Sequence, residues 1–287
     1  MGLFGRVSTA MITPFDAKGH IDFPKTTQLI NHLLENGTDS LVVAGTTGES
    51  PTLSKQEKIA LFKHVVKVVE KRVPIIAGTG SYNTYESIEL TKQAELAGVD
   101  AVMVVGPYYN KPNQEGLYQH IKAVAESTKL PVMIYNIPGR SVVNIEPETI
   151  IRLSEIDNIV AVKEASGNLN NITKIIASTP ADFNVYSGDD SLTLPILSVG
   201  GTGVISVASH IIGKEMKEMV TSFLDGKVEE ASKMHQQLLP LMLVLFKAPN
   251  PVPVKTALQL KGFDVGSVRL PLVPLTEEER IELAKFI

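Results

Sequence analysis

Apolar residues along the chain fall into two alternating rhythms. Short, nearly continuous apolar runs rich in Val, Ile and Ala occupy residues 7–13, 40–44, 74–77, 100–105, 131–135, 159–163, 183–187 and 203–206. Most are bounded by Pro, Gly, Asn or Asp, and runs this short with such boundaries predict strands buried on both faces. Between them, apolar residues recur at helical spacing over 24–36, 54–71, 84–97, 114–127, 147–155, 169–178 and 191–198. The first helix carries Leu29, Ile30, Leu33 and Leu34 on one face and ends at Gly37. A glycine just past the last turn adopts the left-handed conformation that closes a helix. Ser54 and Glu57 form a capping box for the second helix, and Gly98 closes the third. Residues 33–39, before the second strand, echo residues 94–100, before the fourth.

Eight strands alternating with helices predict a parallel sheet, and the (β/α)8 TIM barrel meets this at its typical size of about 250 residues. The competing doubly wound open sheet binds ligand near a Gly-rich first turn, and no G-x-G-x-x-G occurs here. After the eighth strand the pattern is helical only, at 214–224, 228–246 and 254–261. The predicted organisation is therefore an α/β barrel over residues 1–224 and a C-terminal helical extension over 225–287 packed on it.

Composition narrows the function. The 287 residues are 44% hydrophobic and 20% charged, which suits a large core and argues against disorder. A net charge of −4 gives no electrostatic reason to bind nucleic acid or an anionic membrane. The absence of cysteine excludes a disulfide framework, a thiolate metal site and a cysteine nucleophile. The N-terminal residues lack a basic region followed by an apolar one, and Arg6 stands where a myristoylation motif needs Ser or Thr. No uninterrupted apolar stretch reaches the roughly 18 residues of a membrane span. A soluble, cytoplasmic protein is expected. The six histidines show no paired spacing, so no metal is expected either.

In a barrel of this kind, chemistry gathers where the strands end at their C-terminal edge. Here those ends offer Thr13, Gly45-Thr46-Thr47-Gly48-Glu49-Ser50, Gly78-Thr79-Gly80, Pro107-Tyr108-Tyr109-Asn110, Tyr135-Asn136-Ile137-Pro138-Gly139-Arg140, Lys163, Gly188-Asp189-Asp190 and Ile205-Ser206. Lys163 is the unusual member, an amine inside an apolar strand. Burial favours the neutral form of an amine, and a neutral amine attacks carbonyl carbon, so Lys163 suits a Schiff base with a keto acid. Dehydrating the resulting carbinolamine needs a proton carrier, and Tyr135 ends the neighbouring strand, with Thr46 and Tyr109 available as relay partners. Other readings stay open on the residues alone. Lys163 could extend its head to water, Tyr135 could be core, and Tyr108 and Tyr109 could anchor an interface. Arg140 could form a solvated ion pair. The Gly45–Gly48 stretch lacks the ending of a P-loop, and Asp189 and Asp190 resemble metal ligands but also fit a helix start, where carboxylates suit the dipole.

Four of these segments, 45–50, 107–112, 135–140 and 159–164, resemble in order and position the motifs of the pyruvate-dependent class I aldolase family, and within it the dihydrodipicolinate synthases. The resemblance runs from Thr9 to about Leu275. It implies condensation of pyruvate with L-aspartate 4-semialdehyde on the way to diaminopimelate and lysine, with no cofactor. It also implies roles. Lys163 holds pyruvate as an imine, and Tyr135, Thr46 and Tyr109 form a proton relay, with Tyr109 supplied by a neighbouring subunit. Thr46 and Thr47 hold the pyruvate carboxylate, and Arg140 binds that of the semialdehyde. Gly188 and Ile205 offer backbone carbonyls near the second substrate. A homotetramer built as a dimer of dimers is implied. N-acetylneuraminate lyase and the keto-deoxy-sugar aldolases resemble the same barrel but lack an arginine in the place of Arg140, whose fork suits a carboxylate. In lysine-inhibited relatives the effector cleft carries histidines at the positions of Lys55 and Lys58 and asparagine at that of Tyr82, so weak or absent inhibition by lysine is implied here.

Overall fold

A computed structural model describes residues 2–287. Eight parallel strands close into a barrel in chain order: β1 Val7–Ala10, β2 Ser40–Val43, β3 Ile75–Gly78, β4 Ala101–Val105, β5 Val132–Asn136, β6 Ile159–Glu164, β7 Asn184–Ser187 and β8 Gly203–Ser206. β1 pairs with both β2 and β8, which leaves no free sheet edge. Alternate residues point inward, where Val42, Ile76, Met103, Met133, Ala161 and Ile205 fill the barrel and Phe4 closes its lower end. The other faces pack against the surrounding helices: α1 Phe23–Glu35, α2 Lys55–Val69, α3 Thr84–Ala97, α4 Gln114–Glu126, α6 Pro147–Leu153, α7 Leu169–Ser178, α8 Thr193–Ser198 and α9 Ser209–Leu224.

The local signals act as their chemistry dictates. The Ser54–Glu57 capping box opens α2 with both reciprocal bonds. Gly98 ends α3 at φ 88°, a conformation a side chain would strain.

The structure corrects several boundaries. The run over 7–13 leaves the sheet after Ala10, and Phe15 N donates to Val265 O at 3.1 Å, so the chain turns toward its own C-terminal segment. The helix predicted over 191–198 is a 3₁₀ turn at Asp190–Leu192 followed by α8. The start predicted at 214 falls inside α9, because Ile212 (φ −127°, ψ 41°) interrupts the regular spacing near its beginning. Two helices lay outside the sequence reading, α5 Pro138–Ser141 and α12 Glu277–Ala284.

Beyond α9, α10 Val228–Val244, α11 Val252–Leu260 and α12 lie on the barrel. Their connections reach the loop after β2. Asn250 Nδ2 donates to Thr47 Oγ1 at 2.9 Å, Lys255 Nζ meets Glu49 Oε1 at 2.6 Å, and Arg269 N donates to Glu49 Oε2 at 2.9 Å. Among the described residues no helix is long and apolar enough to cross a membrane.

Candidate active site

Among the described residues, five of the seven non-glycine residues with positive φ lie in loops at the C-terminal ends of strands: Ala44 and Glu49 after β2, Tyr109 and Lys111 after β4, and Val142 after β5. Strained backbone persists where surrounding structure enforces it, and it concentrates at functional sites. The same loops enclose a cavity of about 230 Å³ whose walls include Thr46, Gly78, Gly80, Tyr135, Ile137 and Arg140. Glycine is required at its edge. A Cβ on Gly80 would stand 2.4 Å from Val105 N, and one on Gly78 2.5 Å from Ala44 O.

Lys163 and Tyr135 are register partners on β6 and β5, so both side chains enter the barrel from adjacent strands. Lys163 is 5% exposed and Tyr135 3% exposed. The lysine Nζ lies 4.3 Å from the centre of the Tyr135 ring, over its face. Gly188 leaves room for the lysine stem, since a Cβ there would stand 3.1 Å from Lys163 Cε. Lys255 is also buried, yet its amine is engaged by the Glu49 carboxylate and accepted by Ser267 O at 2.9 Å. Burial brings Lys255 down to about 8 although the Glu49 charge opposes this. Lys163 is the other buried lysine among the described residues, and it faces an aromatic ring with no ion-pair partner.

The predicted site residues fall in three places. Thr46, Tyr135 and Arg140 share the cavity wall, and Arg140 is exposed on α5. Thr47 is buried behind the same loop, Ile205 sits inside the barrel on β8, and Gly188 follows β7 beside the Lys163 stem. Tyr109 is 92% exposed and does not line its own cavity. Asp189 accepts from Ser191 N at 2.8 Å as a cap. Asp190 instead accepts from the backbone of Val207 and Ala208 at 3.0 and 2.9 Å, tying the loop after β7 to β8. Among the described residues no cluster of histidine and carboxylate side chains could hold a metal ion.

Sequence reasoning missed Asn136 and Glu164 as a pair. They follow Tyr135 and Lys163 directly and are mutual register partners. The strand alternation was the available signal, since it places one pair inside the barrel and the next pair outside.

Ser50, Pro51 and Tyr108 also line the cavity. Tyr82 meets Tyr108 edge to face, with ring centres 5.3 Å apart. Lys55 is exposed, whereas Lys58 is half-buried, and burial pushes its ammonium below the usual lysine range while the Glu86 charge opposes.

The model of the dihydrodipicolinate synthetase family matches residues 3–287. The chain belongs to this family. A 4-hydroxy-tetrahydrodipicolinate synthase of Bacillus subtilis (strain 168) is 69% identical over 285 residues, covering 99% of this chain and 98% of that one. The crystal structure of a dihydrodipicolinate synthase from Bacillus anthracis matches with a TM-score of 0.98 at 62% identity, covering 100% of this chain and 98% of that one. A family member from Cyanidioschyzon merolae, solved with lysine bound, matches with a TM-score of 0.98 at 47% identity over 100% of this chain and 98% of its own.

Proposed function

We propose that the chain condenses pyruvate with L-aspartate 4-semialdehyde to give 4-hydroxy-tetrahydrodipicolinate. The observation that carries this is the unpaired Lys163 amine over the Tyr135 ring, beside a cavity whose wall also holds a free arginine. Lys163 Nζ attacks the keto carbon of pyruvate, and the carbinolamine loses water to form an imine. Tyr135 carries the protons, passing them through Thr46 and Tyr109 of the partner subunit. The imine gives up a methyl proton to become an enamine, whose carbon attacks the aldehyde of the second substrate. The amino group of that substrate then displaces Lys163 and closes the ring, which frees the amine for another turnover. Thr46 and Thr47 hold the pyruvate carboxylate, Arg140 holds that of the semialdehyde, and the carbonyls of Gly188 and Ile205 face the second substrate.

Cleavage of N-acetylneuraminate or a keto-deoxy sugar acid uses the same lysine and tyrosine chemistry. It is the weaker reading, because Arg140 suits a second carboxylate and the relatives at 68–69% identity carry the synthase name. The exposure of Tyr109 and its position outside its own cavity support a site shared between subunits, as in a homotetramer built as a dimer of dimers. A coupled assay offering pyruvate with the semialdehyde, and N-acetylneuraminate in parallel, decides the reaction. Turnover of the first pair alone is expected, and turnover of N-acetylneuraminate alone overturns the proposal.

A further inference from the structure

Arg140 rides on a short excursion of the chain between Asn136, the last residue of β5, and Ile145. One side chain ties its two ends. Asn136 Oδ1 accepts from Ile145 N at 3.0 Å, and Asn136 Nδ2 donates to Asn144 Oδ1 at 2.9 Å. Within the excursion, Ser141 Oγ lies 2.9 and 2.8 Å from the carbonyls of Ile137 and Val143. An asparagine amide can face either way, so something has to fix it. The Ile145 N–H, which can only donate, holds the oxygen end, and Glu164, which is 1% exposed, holds the NH₂ end. Its carboxylate accepts from Asn136 Nδ2 at 3.0 Å through Oε2 and from Ser166 N at 2.7 Å through Oε1. Both contacts are donors and neither is a cation. With the Ile145 N–H on its oxygen, the Asn136 amide turns its NH₂ to Glu164, whose oxygen accepts from it.

We infer that Asn136 and Glu164 are positioning residues for the second substrate: Glu164 orients the Asn136 amide, and Asn136 clasps the Arg140 loop shut at the mouth of the cavity. The pair stands directly behind Tyr135 and Lys163 yet points away from them. Its effect therefore falls on the semialdehyde and not on the imine. The inference rests on the reading of Arg140 as the carboxylate-binding group.

The test compares Asn136→Ala, Glu164→Gln and Arg140→Ala, singly and with Asn136→Ala combined with Arg140→Ala. KM for each substrate is measured beside the extent of pyruvate trapping by borohydride. Asn136→Ala is expected to raise the semialdehyde KM about fivefold, the loss of roughly one hydrogen bond. Glu164→Gln moves it in the same direction. The pyruvate KM and the trapping change less than twofold, and in the Arg140→Ala background Asn136→Ala adds less than twofold. Hydrogen exchange across residues 137–145 is expected to quicken in both Asn136→Ala and Glu164→Gln. Equal rises in both KM values, trapping lost in proportion, or the same fivefold effect without Arg140 would overturn the clasp. An Arg140→Ala variant with an unchanged semialdehyde KM would overturn the reading of Arg140 instead, and unaltered exchange of the loop would then overturn the clasp on its own evidence.

Discussion

Lys255→Met removes one half of an ion pair that no water reaches. The Lys255 and Glu49 side chains are 2% and 1% exposed, with Nζ and Oε1 2.6 Å apart. Methionine keeps most of the stem volume, so packing against Phe15 survives and the charge is what changes. Removing one partner of a buried pair costs about 3–5 kcal/mol, because the remaining charge stays in a poor solvent. Here the lower end applies. Glu49 keeps the 2.9 Å bond from Arg269 N, and the Arg269 guanidinium, engaged with Glu57, lies over the same Phe15 ring. At about 2.1 cal/mol/K of unfolding entropy per residue over 287 residues, a loss near 3 kcal/mol lowers the thermal midpoint by about 5 °C. Replacing both partners, Lys255→Met with Glu49→Gln, removes the stranded charge and is expected to recover most of that loss. Thermal unfolding of the single and double variants, followed by circular dichroism, measures the effect. A Lys255→Met protein within about 1 kcal/mol of the parent, or a double variant no better than the single one, would refute the claim that this pair anchors the C-terminal helices to the loop carrying Thr46 and Thr47.

Three further outcomes follow from the same geometry. If Tyr109 serves a neighbouring site, mixing Tyr109→Phe subunits with Lys163→Ala subunits restores activity, and verified mixed oligomers that stay inactive exclude a tyrosine supplied in trans. Free lysine is expected to inhibit only above about 1 mM. Lys58 already faces the Glu86 charge, and at about 4 Å a like-charge contact costs roughly 4 kcal/mol at an effective dielectric near 20. Half-inhibition well below that concentration would contradict this. Burial holds His120 and His210 near 4, below the ordinary 6.5, so the unfolded chain takes up protons that the folded one refuses. Their stabilisation is complete above pH 6.5 and is lost as pH falls through 4. Thermal midpoints should therefore decline across that window, and less steeply in His120→Gln; identical slopes would contradict the assignment.

Much of the architecture was legible because the signals are local. Short branched runs between turn residues marked the strands, and the Ser54–Glu57 box and Gly98 marked helix ends where they occur. The helix carrying Arg140 was not legible, since Pro138–Ser141 is a single turn with no period to detect. α12 could have been found from Thr276 and Glu279, which form a capping box of the kind recognised at Ser54. Lys163 stood out because a charge interrupts an apolar strand. Lys255 did not, because its partner Glu49 lies in a distant loop and no nearby residue announces the contact. Asn136 and Glu164 went unread although strand alternation turns them outward, because their pairing needs the register between β5 and β6.

The proposed chemistry turns on Lys163 as the amine that holds pyruvate. Incubation with pyruvate and borohydride, digestion and mass spectrometry locate the reduced adduct directly. A single modified lysine, Lys163, is expected, with no adduct in a Lys163→Ala protein that keeps its thermal midpoint. An adduct on Lys255 or Lys111, or none on a protein that turns over both substrates, would contradict it.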